Sequence, residues 1–414
     1  MKRLTSVYAG VVWKIGLVAL LILLLGNPLK GEISLVRLPA IEGGDRSVAA
    51  YGVSDDGSVI VGASYAAVGS EACVWNDGVA TGLGDLPGGL DLSIAHGVSG
   101  DGQIIVGYGY SGAGRQAIRW DSEGSVTLGG VESGGLAVTD DDVIVGFETN
   151  WNSKFHARRW ISRIPGGLGD LANGNGRSYA TGINPSGEVI VGWASQGSGQ
   201  VAFKYVEGTM TALPDLEGTS IAGWATDVSD DGTLIVGRGW GASGEEACYW
   251  LNDVIHPLGD LPEIPAASEA KAVSGDGSII VGWGNENYWR RAVMWRQVDG
   301  YVPVKLDKFL DDSGVDRGGF SMQEAYGISS DGRVIVGMGA LEGGSQEAFA
   351  LYLGEGAAMW GPYVITDGWV DTGAWMGPLY VDYAPWVWSH TLGDWIFIPE
   401  DMIGEAGSWI FLSL

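Results

Sequence analysis

A run of Val and Ile that ends in Gly follows a short polar turn, and this pairing recurs along most of the chain. The clearest copy reads Gly52, Val53, Ser54, Asp55, Asp56, Gly57, Ser58, Val59, Ile60, Val61, Gly62; its Val-Gly end returns at Gly107, Gly146, Gly192, Gly237, Gly282 and Gly337. After a variable loop, each unit enters an Ala-x-x-aromatic segment: Ala72 to Trp75, Ala117 to Trp120, Ala157 to Trp160, Ala202 to Tyr205, Ala247 to Trp250 and Ala292 to Trp295. In the seventh unit Ala348 to Leu351 is followed by Tyr352. A Leu-Gly-Asp-Leu segment, as at Leu83 to Leu86, Leu168 to Leu171 and Leu258 to Leu261, closes several units and reads as a fourth strand.

Asp-Gly pairs at 56–57, 101–102, 231–232, 276–277 and 331–332 supply the positive φ that tight hairpins need, so the first two segments of a unit should pair. Seven units of roughly 45 residues with four β-prone segments each predict an all-β fold, a seven-bladed β-propeller of four-stranded blades. Ile33 to Leu38, followed by Gly43, Gly44 and Ser47, looks like a closing segment yet precedes the first unit, while the last unit ends after Leu353 without one. The N-terminal strand should therefore complete the last blade and remove the free sheet edges.

The unit resembles the HAF-repeat family of probable extracellular repeat proteins, named for a His-Ala-Phe triplet that opens the third strand. The triplet positions read Glu71-Ala72-Cys73, Gln116-Ala117-Ile118, His156-Ala157-Arg158, Val201-Ala202-Phe203, Glu246-Ala247-Cys248, Arg291-Ala292-Val293 and Glu347-Ala348-Phe349, with only Ala kept throughout. Gly-Val-Ser, Asp-Gly, Ile-Val-Gly and Leu-Pro-Gly-Gly recur around them across residues 33 to 354. The resemblance implies secretion or surface exposure and no established activity. Two units depart from the pattern. The third, Val138 to Gly146, is one residue shorter and has Asp140, Asp141 and Asp142 where the turn Gly belongs, which predicts a distorted hairpin. An insertion before the seventh, Val304 to Gly319, spaces Leu306, Phe309 and Leu310 as one short helix would.

Composition narrows the function. Gly is 70 of 414 residues, against a usual share of about 7%, which excludes an ordinary helical enzyme and suits a turn-rich β fold. The net charge of -27 would repel a phosphate backbone, so nucleic acid is not an expected partner. Lys2, Arg3 and Lys14 precede the apolar run Ile15 to Gly26, so residues 1–31 read as a signal peptide or N-terminal anchor. The repeat spans 32–355. Residues 356–414 form a separate acidic module with no Lys or Arg, in which Trp369, Trp375, Trp386, Trp388, Trp395 and Trp409 suggest aromatic hairpins.

The candidate chemistry is sparse. Cys73 and Cys248 occupy equivalent places in units one and five, too far apart for a bridge in a ring, and read as small core residues. The Ser-x-Asp-Gly turns are explained by turn geometry. None of the acidic turns has EF-hand spacing, and His96, His156, His256 and His390 form no ligand-spaced pair, so neither metal nor cofactor is expected. Trp75, Trp120, Trp160, Trp250 and Trp295 recur at one place and should pack between blades.

The segments between strands two and three hold Tyr108, Tyr110, Trp151, Trp240, Tyr288 and Trp289, which read as an aromatic loop face able to stack on sugar rings. Trp193 and Trp283 either join that face or extend strand two and pack between blades. The expectation is a monomeric, non-catalytic, exported scaffold for extracellular polysaccharide, with the membrane involved only through an uncleaved N-terminal segment. Two alternatives are a glycan-active hydrolase or lyase on the same face and a protein–protein platform on the cell envelope.

Overall fold

The computed structural model describes residues 33–149, 153–216, 223–241, 244–262 and 267–354, and the backbone of six short strands between 359 and 397. The segment 1–31, Trp151 and most of 356–414 lie outside the described residues.

The repeat units form four-stranded antiparallel sheets, those of units one and two being joined by a single parallel bridge between Ser70 and Leu92. Unit one contributes Ser47–Val53, Val59–Tyr65, Ser70–Asn76 and Val79–Gly82. Unit two contributes Gly88–Val98, Ile105–Ser111, Gly114–Asp121 and Gly124–Thr127. Ser133–Val138, Val143–Thr149, Phe155–Ile161 and Ile164–Gly167 make the third sheet, and Gly174–Ile183, Ile190–Gln196, Gly199–Val206 and Thr209–Ala212 the fourth. The fifth holds Trp224–Val228, Leu234–Gly241, Gly244–Leu251 and Val254–Pro257; the sixth Ser268–Val273, Ile279–Glu286, Trp289–Arg296 and Pro303–Lys305. In the last unit Phe320–Ile328, Val334–Leu341 and Gln346–Tyr352 supply three strands, and Ser34–Arg37, from the other end of the chain, supplies the fourth through its register with Gln346–Tyr352. Arg37 reinforces that junction with two hydrogen bonds of 2.8 Å to the Glu347 carboxylate.

The fourth strands are not where the Leu-Gly-Asp-Leu segments lie. They are the exposed residues just before, such as Val79–Gly82 and Ile164–Gly167, and the Leu segments are turns whose apolar side chains plug the gap between neighbouring sheets. The first Leu of each is fixed by its N–H donating to the carbonyl of the recurrent Ala: Leu83 to Ala72, Leu168 to Ala157, Leu258 to Ala247, and, across the chain termini, Leu38 to Ala348. That Ala donates its own N–H to a buried Ser on the next sheet, at 2.9 Å for Ala72 to Ser93 and Ala117 to Ser133, and at 3.0 Å for Ala348 to Ser47. This Ala is fully buried in all seven units, at the place where neighbouring sheets meet, which favours a small side chain there.

The tryptophans of the third strands lie in clusters shared by neighbouring sheets. Trp75 packs with Val334 and Ala350, Trp160 with Val106 and Ala117, and Trp250 with Val191 and Ala202. Cys73 and Cys248 are buried, free, and at equivalent register positions opposite Gly62 and Gly237. The insertion forms the helix Leu306–Asp312, which buries Leu306 and Leu310.

The turns follow a common design. Ser54 Oγ donates to Asp56 Oδ1 at 2.9 Å and accepts from the Val59 N–H at 3.0 Å, while Gly57 takes φ +73°. The shortened third turn is not distorted: Asp142 adopts φ 59° in place of the glycine, and Arg119 Nε holds its carboxylate at 2.8 Å. Beyond the repeat, Trp369–Asp371, Pro378–Tyr380, Trp386–Ser389 and Asp394–Phe397 pair as a separate four-stranded sheet.

Candidate functional site

The first strands of all seven sheets line one channel of about 230 Å³. Its lining follows from the sequence frame x-Gly-Val-Ser, in which the residue three before the turn Ser, or before Thr139 and Asn184 in units three and four, faces the channel. These positions are Tyr51, His96, Leu136, Thr181, Thr226, Lys271 and Tyr326. The next residue is small in six units and Asp227 in the fifth. Asp227 reaches the neighbouring sheet, accepting the Val273 N–H at 3.0 Å, and burial pushes its carboxyl up to about 6.

The turn end of the channel is drawn together by hydrogen bonds between units. Asp55 N–H donates to Gly100 O, Asp230 N–H to Gly275 O, Gly275 N–H to Ser330 O and Asp331 N–H to Asp55 O, all between 2.9 and 3.2 Å. Ser330 Oγ also reaches Asp230 Oδ2 at 2.9 Å, skipping the unit between them. Gly275 makes this possible: a Cβ there would lie 2.2 Å from Ser330 Oγ and 2.3 Å from Asp230 Oδ2.

At the other end an unbroken circuit of aromatic and charged side chains surrounds the channel. Tyr326 and Tyr51 lie 5.1 Å apart, Tyr51 and His96 5.1 Å, and His96 and Tyr108 5.3 Å. Arg115 bridges the next gap, its guanidinium 5.5 Å from the Tyr108 ring and 4.8 Å from that of Phe147. Phe147 meets Tyr179 at 4.6 Å, Tyr179 stacks on Trp193 at 4.8 Å, and Trp193 stacks on Trp224 at 5.3 Å. Arg238 covers Trp224 at 4.2 Å and faces Glu269 at 3.9 Å; Glu269 in turn accepts the Trp283 indole N–H at 3.2 Å. Arg290 lies 4.0 Å over Trp283 and donates to Glu324 at 2.7 Å, and Glu324 sits beside Tyr326, where the circuit began.

Burial dominates the titration of these groups. It pushes the Tyr51 phenol up to about 12, raises that of Tyr326 further, and, with the Arg115 charge, lowers His96 to about 4. At neutral pH the rim therefore offers protonated phenols and an uncharged imidazole. Its charges are matched: Arg115 faces Glu132 at 3.4 Å, Arg238 faces Glu245 at 2.9 Å, and Lys271 faces Glu269 at 2.9 Å. Among the described residues no group of three or more His, Cys, Asp or Glu could hold a metal ion.

Of the aromatic residues singled out from the sequence, Tyr108 belongs to the circuit, and Tyr110 meets it edge-on at 6.3 Å. Both lie on a strand rather than in a loop, as does the half-buried Trp240, because the connections between second and third strands are tight hairpins. Tyr288 and Trp289 stand at the tip of one such hairpin, 81% and 67% exposed, apart from the circuit; Trp151 is outside the described residues. Trp193 joins units four and five by stacking, and Trp283 is buried under Arg290. Tyr51, His96, Arg115, Tyr179, Trp224, Arg238, Arg290 and Tyr326 escaped the sequence reading. The signal that could have found three of them, Tyr51, His96 and Tyr326, is the x of x-Gly-Val-Ser and its equivalents, which varies within a fixed frame.

No family model matches the chain, and no curated protein is similar to it at a significant level. Solved structures align with it. An oligogalacturonate lyase from Vibrio parahaemolyticus aligns over 79% of this chain and 99% of its own with 12% identity and a TM-score of 0.50. The β-propeller domain of the Trilobed protease from Pyrococcus furiosus aligns over 74% and 93% with 12% identity and a TM-score of 0.48. TolB from Acinetobacter baumannii aligns over 61% of this chain and just under two thirds of its own, 65%, with 13% identity and a TM-score of 0.42. At these identities the likeness concerns architecture: an all-β propeller scaffold.

Proposed function

We propose that this chain is an exported, seven-bladed β-propeller that binds extracellular polysaccharide at the aromatic end of its channel without chemically altering it. Seven sheets, with a strand from the N-terminal end of the chain completing the last, support the blade count. The basic and apolar residues of 1–31 and the likeness to extracellular HAF repeats support export.

The observation that carries the binding reading is the circuit around the channel. Aromatic faces such as Tyr179, Trp193 and Trp224 form a stacked surface suited to the C–H faces of sugars, and interleaved Arg, Glu and Tyr groups can hydrogen-bond to hydroxyls. Because the cations of the rim face carboxylates on a chain of net charge -27, the site favours a neutral or weakly charged glycan over a strong polyanion. Tyr288 and Trp289, with Tyr288 held at φ 70° on an exposed tip, are the natural extension of the surface toward a longer chain.

The test is a binding screen of neutral and acidic polysaccharides against the full chain, beside Trp193→Ala/Trp224→Ala and Tyr288→Ala/Trp289→Ala variants. Binding that falls more than tenfold in the first variant, with the fold retained, supports the site. Release of reducing sugar or of an unsaturated product would instead show catalysis. Absence of glycan binding alongside capture of an envelope protein would replace this reading with the protein platform.

A further inference from the structure

The circuit lies at the mouth of the channel, and three of its members, Tyr326, Tyr51 and His96, also line the channel wall and carry polar groups into it. Three rings from adjacent units, Tyr326, Tyr51 and His96, fan around one wall at successive centroid distances of 5.1 Å. Among the described residues, neither the Tyr51 hydroxyl nor the His96 imidazole has a hydrogen-bond partner, although both line the channel. Lys271, on the same ring of positions, is ion-paired with Glu269 at 2.9 Å and brings an ammonium group to the channel.

The opposite wall is different. Thr181 and Thr226 spend their hydroxyls on the Ala225 and Ala270 carbonyls, both at 2.8 Å, and Leu136 is apolar. One side of the channel therefore offers hydroxyl, imidazole and ammonium groups, and the other is mainly hydrocarbon, its Asp227 carboxylate already accepting the Val273 N–H. A pyranose ring has the same two-sidedness, hydroxyls along its edge and C–H bonds on its faces.

Size and closure set the mode of entry. The volume of about 230 Å³ is smaller than the roughly 300–1,000 Å³ of pockets that enclose drug-sized ligands. At the turn end, the backbone links and the Ser330–Asp230 hydrogen bond draw units five, six, seven and one together and narrow the passage for a threaded chain. We propose that the channel is a subsite for one terminal sugar residue, so that this protein recognises the ends of glycan chains while the aromatic mouth holds the residues that follow. This rests on the polysaccharide reading of the mouth.

The uncharged state of His96 at neutral pH suits this role, since it gives one donor and one acceptor to adjacent hydroxyls. The experiment is titration calorimetry of the full chain with a panel of methyl glycosides of hexoses, N-acetylhexosamines and hexuronic acids, and with oligosaccharides of the same sugars. Two variants accompany it: Tyr51→Phe/Tyr326→Phe, which removes only hydroxyls, and Trp193→Ala/Trp224→Ala at the mouth. Thermal melting checks that each variant is folded.

The expected result is a methyl glycoside that binds and competes with its oligosaccharide, weakened about tenfold by the Phe pair, chiefly through loss of the Tyr51 hydroxyl, since that of Tyr326 is shared with Glu324. The Ala pair should weaken the oligosaccharide and spare the glycoside. Oligosaccharide binding that no glycoside competes for, and that the Phe pair leaves unchanged, overturns chain-end recognition and keeps the mouth as the site. Glycoside binding without any polysaccharide binding keeps the channel subsite and overturns the mouth. If neither class binds, both readings fall.

Discussion

Two groups on the channel wall should make opposite contributions to stability over nearly the same pH range. His96 has a folded pKa of about 4, lowered by burial and by Arg115, against about 6.5 in an unfolded chain. Its contribution is present above pH 6.5 and is lost as pH falls toward 4, because the unfolded state takes up the proton first. Asp227 is reversed: burial raises it to about 6 despite the Val273 N–H, so its contribution is full below the unfolded value of about 3.9 and is lost as pH rises through 6. At 1.36 kcal/mol per pKa unit, each amounts to on the order of 2–3 kcal/mol between pH 7 and 4.5, and in the native protein the two nearly cancel. Substitution should separate them. His96→Phe keeps a ring between Tyr51 and Tyr108 and removes one titration, so its stability relative to the native protein should rise by about 2 kcal/mol or more on going from pH 7 to 4.5. Asp227→Asn keeps an acceptor for Val273, and its relative stability should fall by about 2 kcal/mol over the same interval. Urea unfolding at the two pH values reads both differences, and the acidic turns shared by all three proteins drop out of the comparison. Difference profiles that are flat, or of the same sign, would refute the assignment of opposed titrations to this wall.

The other predictions concern the frame. Ser93→Ala strands the buried N–H of Ala72 and should cost about 1–3 kcal/mol in urea unfolding at constant m, with Ser133→Ala costing a similar amount; a loss below about 0.3 kcal/mol at both sites would show that these hydroxyls do not pin the sheets together. Trp250 donates its indole N–H to Pro214 O at 2.7 Å while the buried Trp160 indole N–H has no partner among the described residues, so Trp250→Phe should be about 1 kcal/mol more destabilising than Trp160→Phe; equal costs would mean that packing alone matters there. Deleting residues 33–38 removes the fourth strand of the last sheet and bares the edge of Gln346–Tyr352, which should lower the melting temperature and promote self-association measurable by light scattering, whereas an unchanged melt would sink ring closure.

The repeat made the architecture legible because each feature of the unit answers a separate physical need. Gly57 and its equivalents meet the positive φ of the turn, Ser54 and Asp56 satisfy the turn's own N–H groups, and Ala72 fits where two sheets meet. The fourth strand escaped because nothing in its sequence marks it. Val79–Gly82 and Ile164–Gly167 are largely exposed outer edges with no buried face, so they show no alternation, while the neighbouring Leu residues carry the hydrophobic signal of a turn that plugs the core. In the third unit, three consecutive Asp suggested distortion, because the sequence does not show that Arg119 would neutralise Asp142 in the conformation usually left to glycine.

The site was less legible for a related reason. Aromatic residues near a hairpin suggest a loop face, yet Tyr108 and Trp240 belong to strands, and their role depends on which neighbour each one meets across a sheet boundary. The circuit is a property of the assembled ring: Arg115 lies between Tyr108 and Phe147 of different units, and Arg290 links Trp283 to Glu324 across another boundary. No single unit contains enough of it to be read as a motif. What one unit does contain is the first-strand position whose side chain faces the channel, and there the frame holds Tyr51, His96, Lys271 and Tyr326 alongside Leu136, Thr181 and Thr226. A position that only spaced the sheets would need uniform small or apolar residues. The chemical variety at a geometrically equivalent point, against the near-uniform small residues one step along, is what a ring of identical scaffolds would show if it had been adapted to hold one asymmetric ligand.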